Sequence, residues 1–235
     1  AAAAVCGGPQ APQLRQQIHQ GPGTRLHLPE LADIPPDIDD CVTLELPKHA
    51  GLPTPNAGGE GGCGAPLKSF VFQTEPRLKL VPGIVSDEEV EHVLGLAAGR
   101  GVAPSPVWCG DTGKRKSYAC VLPSGATPAV QAIERRVAGV VGVPVEHLER
   151  LHVFSYGPGQ SDCAHHDGRY RIKTVLIYLN DVEQGGETRF PKLGVQVKPL
   201  KGCAVIWPNT TEDGGVDWRT IHDEMPPVEG VKFAV

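Results

Sequence analysis

His165, Asp167 and His222 are the side chains in this sequence whose types and spacing best suit a metal ion. His165 and Asp167 stand two apart within Ala164-His165-His166-Asp167. In extended backbone, residues two apart share a face, so His165 and Asp167 point together while His166 points away and reads as a filler. One imidazole and one carboxylate then converge on a point, and His222, after a polar, turn-rich stretch, is the candidate third arm. Two imidazoles and one carboxylate suit an octahedral, non-haem Fe(II) with positions left open for other ligands. Lys232 follows His222 by ten residues and brings a cation to the same end of the chain.

Elements that must hold these groups are visible on either side. Leu151–Tyr156 and Thr174–Leu179 are rich in β-branched and aromatic residues and predict two strands flanking the His-x-Asp turn. Beyond Leu151, turn residues recur every eight to twelve positions, the rhythm of a sandwich or jelly roll and not of a parallel α/β sheet. Upstream, Phe70–Leu80 alternates as a leading strand. Ser86-Asp87-Glu88-Glu89 is a capping box that opens a helix to about Ala98, with Val90, Val93, Leu94 and Ala97 on its apolar face. Thr127-Pro128 opens a second helix, with Val130, Ile133, Val137 and Val140 inward and Gly142 as its stop. These helices are expected to brace the sheet.

Residues 1–66 are of different material. Their short Ala, Gly and Pro runs bury too little apolar surface to offset ordering, which predicts a flexible arm. Leu26–Leu31 and Cys41–Leu46 are the places where it would form short strands or dock. His19, His27 and His49 lack partners at metal-ligand spacing and read as solvated. The chain has 235 residues, 22 basic and 27 acidic, for a net charge of −5, which speaks against a nucleic-acid partner. No apolar run approaches the roughly 18 residues of a membrane span. The seven cysteines form no CxxC pair, against a zinc ribbon. Cys109 and Cys120 flank a candidate hairpin and are the pair considered for a disulfide, against the reading of two buried thiols. Cys163 and Cys203 read as structural thiols. The chain begins at Ala1 without Met, so the N-terminus reads as incomplete.

From about Leu67 onward the sequence resembles the prolyl 4-hydroxylase branch of the Fe(II)/2-oxoglutarate dioxygenases. The ordered motifs Tyr156-Gly157-Pro158-Gly159-Gln160, His165-His166-Asp167, Thr174 to Val182, Gly185-Gly186-Glu187-Thr188 with Phe190-Pro191, Val197-Lys198-Pro199, and Asp217 to His222 leading to Gly230-Val231-Lys232 carry that resemblance, and Arg115-Lys116-Ser117 is similar to a family strand that leads to the site. It implies an α+β, mainly β fold, a double-stranded β-helix (jelly-roll) core at 67–235. It implies Fe(II) on His165, Asp167 and His222, with 2-oxoglutarate and O2 as co-substrates and ascorbate as a family requirement. Lys232 would anchor the distal carboxylate of 2-oxoglutarate, Tyr178 would reach the same carboxylate, and Tyr156 would lie near the iron-facing side. Both tyrosines also read as core aromatics. Trp207 and Trp218 read equally as groove walls or core.

The implied activity is peptidyl-proline 4-hydroxylation on a Pro-containing peptide or protein, in the endoplasmic reticulum or secretory pathway. The alternatives are another 2-oxoglutarate-dependent hydroxylase or demethylase, or an inactive module that binds Pro-rich chains. The chain departs from the family pattern after His222, where Asp223-Glu224-Met225 is expected to place two acids near the site entrance.

Overall fold

The computed structural model of the protein describes residues 3–6, 41–44, 67–105 and 117–235. The architecture is mainly β, with fourteen short strands in three sheets and two α-helices among these residues. β1 (Ala3–Cys6), β9 (Arg171–Ile177), β12 (Ala204–Pro208), β4 (Leu78–Val81) and β3 (Phe70–Gln73) form one five-stranded sheet in the order β1-β9-β12-β4-β3. The second runs β2-β11-β10-β13-β8, from β2 (Val42–Leu44), β11 (Val195–Val197), β10 (Thr188–Phe190), β13 (His222–Glu224) and β8 (Asp162–His165). The third joins β14 (Lys232–Ala234), β7 (His152–Tyr156), β6 (Tyr118–Val121) and β5 (Ala103–Pro104) in that order. All the ladders are antiparallel except β2 on β11.

The central strands β9, β12 and β4 of the first sheet are buried on both faces, and the two-residue period sorts their side chains between two cores. Leu176 and Tyr178, with Val205 and Trp207 from β12 and Leu78 and Leu80 from β4, join Phe190 and Val197 of the second sheet in one cluster. The intervening Val175, Ile177, Ala204 and Ile206 face the other cluster, which also holds Val90, Val93 and Ala97 of the helix Asp87–Arg100 and Val130, Ile133 and Val137 of the helix Pro128–Val141. At about 25 cal/mol per Å2 of apolar area removed from water, each fully buried Val, Leu or Ile contributes about 1.5–3 kcal/mol.

Both helices carry the expected signals. α1 (Asp87–Arg100) starts at Ser86, whose hydroxyl accepts from the Glu89 amide while the Glu89 carboxylate accepts from the Ser86 amide. α2 (Pro128–Val141) is capped by the Thr127 hydroxyl, has Pro128 in its first turn, and ends at Gly142 in the left-handed region, φ 81°. Glu89 also receives two bonds from the Arg136 guanidinium, at 2.8 and 2.9 Å, tying the start of α1 to α2. No helix among the described residues is long and apolar enough to cross a membrane.

Several expectations change. Phe70–Leu80 is a hairpin, β3 and β4 joined through a turn over 74–77, and not one strand. Pro76 lies in that turn, where it has no amide to give a ladder. Of the described residues within 1–66, β1 pairs on the edge of the first sheet, and β2, inside the Cys41–Leu46 stretch named as a place for a short strand, pairs on the edge of the second. Cys120 is a buried thiol facing the helix-side core, so the Cys109–Cys120 disulfide does not form. Cys163, expected as a thiol, is disulfide-bonded, and it lies exposed on the edge strand β8. Leu26–Leu31, His19, His27, His49, Cys109 and Arg115-Lys116 lie outside the described residues.

Candidate active site

His165 ends β8, His222 begins β13, and the two are partners across the ladder, with ring centroids 4.4 Å apart. Asp167 follows in the turn after β8, and one donor atom from each of the three residues lies within 4.8 Å of the others. The ring tautomers follow from the neighbours. His165 Nδ1 is 2.9 Å from the Cys163 carbonyl and His222 Nδ1 is 3.1 Å from the Thr220 carbonyl. A carbonyl only accepts, so each Nδ1 carries the proton and each Nε2 offers its lone pair inward. Both Nε2 atoms stand 3.8 Å from an Asp167 oxygen. His222 is walled by the Trp207 ring at 4.7 Å and the Phe190 ring at 5.9 Å, and burial, followed by the neighbouring His165, pushes its pKa down to about 3. It is therefore a neutral imidazole at physiological pH.

Asp167 is held from behind. The Thr174 hydroxyl, on β9, donates to Oδ2 at 2.5 Å, and Asn209 Nδ2 donates to that hydroxyl at 2.7 Å. Burial alone would raise the carboxyl, but His222 and His165, then Thr174, outweigh it and hold Asp167 below the ordinary carboxylate range. Its Oδ1 is buried without a hydrogen bond. Arg171 Nη1 sits 3.9 Å from that oxygen, with the guanidinium committed to Glu149 at 3.1–3.2 Å. His166 turns away from the three ligands, accepts from the Gly168 amide at 2.8 Å and packs on Trp218, 5.5 Å between centroids.

Behind the triad lies a second cluster. Lys232, on β14, is 0% exposed, and its ammonium pairs with the Glu224 carboxylate and donates to the Gly186 carbonyl at 2.7 Å. The rings of Tyr156 and Tyr178 lie 5.5 and 5.4 Å from that ammonium. Tyr178 donates to Thr188 at 2.8 Å, and Thr188 donates to Glu224 at 2.9 Å. Tyr156 donates to Asp162 at 2.9 Å. Burial keeps both phenols well above their ordinary range, so each hydroxyl stays a donor. Burial also raises the Glu224 carboxyl, against the opposing pull of Lys232 and Thr188. Gly185 permits this arrangement, because its φ is +75° and a Cβ there would meet the Pro226 carbonyl at 2.4 Å.

A cavity joins the two clusters, lined by Tyr156, Asp162, His165, Trp207, His222 and Glu224, with Phe154 and Leu176. Asp162 and His165 are three apart on β8 and yet share it, because the ladder is irregular there: His222 opposes His165 while Glu224 opposes Asp162. Such a bulge re-aims a strand's side chains, and bulges recur beside active sites.

Residues 151–235 match the 2OG-Fe(II) oxygenase superfamily. Prolyl 4-hydroxylase 2 of Arabidopsis thaliana is 31% identical over 206 residues, 72% of this chain and 69% of that protein. The chain belongs to the prolyl 4-hydroxylase family. It is a 2-oxoglutarate/Fe(II)-dependent dioxygenase by that membership. Prolyl 4-hydroxylase subunit alpha-1 of Gallus gallus is 35% identical over 188 residues, 72% of this chain but 36% of that longer protein. Among solved structures, the viral collagen prolyl hydroxylase vCPH from Paramecium Bursaria Chlorella virus-1, complexed with 2OG, aligns over 67% of this chain and 92% of that one. Its TM-score is 0.56 at 22% identity, a likeness of fold.

For this prolyl 4-hydroxylase relative, the three ligand residues read from sequence do come together, and Lys232, Tyr156 and Tyr178 surround one another as a second group. The triad fits Fe(II) on its own terms: two imidazoles, one ionised carboxylate, and a buried Oδ1 that no hydrogen bond satisfies. Glu224 departs from expectation. It is 5% exposed and turned inward to Lys232, while Asp223 pairs with Arg189 at 2.6 and 2.9 Å, so neither acid stands at an entrance. Trp207 is core, 1% exposed. Sequence reading missed Thr174, Asn209 and Asp162 as supports of the site. Only Thr174 carried a signal, since it lies two before Leu176 and four before Tyr178 on the strand flanking the motif.

Proposed function

We propose that the chain hydroxylates peptidyl proline at C4, consuming 2-oxoglutarate and O2 and releasing succinate and CO2, with one oxygen atom entering succinate and one the proline ring. His165, Asp167 and His222 would hold the Fe(II). Bound iron, with the 2-oxo acid and O2, supplies the oxidising power for an unactivated C–H bond. The chain's own groups orient and shield. The Cys163 and Thr220 carbonyls fix the imidazoles, Thr174 fixes the carboxylate, and Trp207 and Phe190 keep water from His222. Lys232 and Tyr178 would meet the distal carboxylate of 2-oxoglutarate, and Tyr156 would lie nearer the iron.

The observation that carries this reading is the convergence of His165, Asp167 and His222, one donor atom of each within 4.8 Å of the others, together with a buried Asp167 Oδ1 that no hydrogen bond satisfies. The catalytic unit is 67–235, the substrate a Pro-containing peptide, and ascorbate an accessory reductant. The disulfide at Cys163 supports a secretory-pathway location, where such bonds persist. The test is incubation of the full chain with Fe(II), 2-oxoglutarate, ascorbate and Pro-rich peptides, scored by mass spectrometry for a gain of one oxygen on proline with matching succinate. Asp167→Ala should show neither signal, and hydroxylation surviving in Asp167→Ala would refute the site.

A further inference from the structure

The groups read above as meeting 2-oxoglutarate, Lys232 and Tyr178 at its far carboxylate and Tyr156 nearer the iron, are each already engaged by an acceptor of the chain itself. The Tyr156 hydroxyl is spent on Asp162, the Tyr178 hydroxyl on Thr188, and the Lys232 ammonium on Glu224 and the Gly186 carbonyl. Moreover Glu224 and Asp162 line the cavity, whereas Lys232, fully buried, does not. A dicarboxylate entering from the metal side therefore meets two carboxylates before it meets the ammonium. Like charges sharing one buried counter-ion disfavour each other.

We propose that Glu224 is a specificity-determining residue for the co-substrate. Its carboxylate occupies Lys232 in place of the ligand's, so the site does not favour a 2-oxo acid with a charged far end over one whose far end is neutral. This rests on the reading that a 2-oxo acid binds between the triad and Lys232, and it adds which tail chemistry that place accepts. Glu224 takes this position through its own strand. β13 begins at His222, and two residues on, the same face presents Glu224 to the cavity. Thr188, 0% exposed on the neighbouring strand β10, donates to the carboxylate and fixes its direction.

The experiment compares binding of 2-oxoglutarate and of its 5-methyl ester, which keeps the 2-oxo acid head and removes the distal charge. Isothermal titration of the full chain loaded with redox-inert Mn(II) gives both dissociation constants without turnover. In the unaltered protein the two constants should agree within about threefold. In Glu224→Gln, which keeps the size and an acceptor for Thr188 but frees the ammonium, 2-oxoglutarate should tighten about tenfold or more while the ester hardly moves, as expected for a hydrogen bond to a charged group. Asp223→Asn, which removes a neighbouring acid already held by Arg189, should leave the ratio unchanged. If Glu224→Gln does not fold, Glu224→Ser gives the same comparison. A preference for 2-oxoglutarate above tenfold in the unaltered protein, or an unchanged ratio in the Glu224 variants, overturns the proposal. Failure of both compounds to bind overturns it together with the placement of the 2-oxo acid. The expected ratios without oxygen transfer to any peptide uphold it while refuting proline hydroxylation.

Discussion

Replacing Thr174 by Val tests whether the triad is a prepared metal site or a chance meeting of three side chains. Val is nearly isosteric with Thr and equally suited to a strand, so β9 and its pairing with β12 should survive. What is lost is the 2.5 Å bond to Asp167 Oδ2, and with it the partner of Asn209 Nδ2. A hydrogen bond to a charged group contributes about 1.5–3 kcal/mol, which at about 1.4 kcal/mol per decade corresponds to a roughly ten- to hundredfold weaker divalent metal. Loss of an outer partner of a metal ligand elsewhere costs a similar factor. Asn209, 0% exposed, would be left with an unpaired amide, at about 1–3 kcal/mol of stability. At roughly 2–4 °C per kcal/mol for a domain of this size, the metal-free melting temperature should fall by about 2–12 °C. Thr174→Ser restores the hydroxyl and should recover most of both losses. Mn(II) titration calorimetry and a melting curve on the metal-free protein read the two effects separately. Unchanged metal affinity in Thr174→Val, or a Thr174→Ser variant as weak as Thr174→Val, would show that Asp167 needs no support from β9.

Lys232→Met should destabilise the protein by about 3–5 kcal/mol, because it strands a buried carboxylate; adding Glu224→Gln should recover much of the loss, read by chemical denaturation. Cys203, whose thiol burial pushes up to about 12, should resist iodoacetamide at pH 8 in the native protein and react once unfolded, followed by mass spectrometry. Asp217 is held below the ordinary carboxylate range chiefly by the Arg219 guanidinium. Its contribution is therefore present above the unfolded carboxyl value of about 4 and lost as pH falls through the lower folded value. The stability gap between the unaltered protein and Asp217→Asn should be about 1 kcal/mol at pH 7 and shrink below about pH 4, measured by urea melts.

Features decided by neighbours in the chain were legible in advance. The Ser86 capping box, Thr127-Pro128 and Gly142 lie within one turn of the helix ends they set, so no tertiary knowledge was needed. His165 and Asp167 were legible because side-chain direction is fixed over two residues, and His222 and Lys232 because their types complete a recognisable order. The rest depends on contacts that distance along the chain conceals. Thr174 and Asn209 meet only because β9 and β12 are neighbours, and Glu224 reads as a surface acid until β14 is placed behind it. The β3–β4 turn was missed although Pro76 marked it, since the alternation on either side was read as continuous. Cys120 is the buried thiol of one of the two readings, whereas Cys163, read as a structural thiol, is disulfide-bonded, because pairing requires three-dimensional proximity that sequence spacing does not show.

The bulge in β8 means that the two ends of the cavity keep different phases. Up to His165 the strand is in step with the metal ligands; at Asp162 it is in step with the residues around Lys232. Excising Ala164 would leave Asp162 and His165 two apart, so a regular ladder would still present both inward opposite Glu224 and His222; what it would remove is the local bend that the extra residue gives β8. The extra residue works as a phase shifter that lets two residues three apart on β8 share one face. Substitutions on the Glu224 and Asp162 side can therefore retune what enters the cavity while the geometry at His165, Asp167 and His222 is kept.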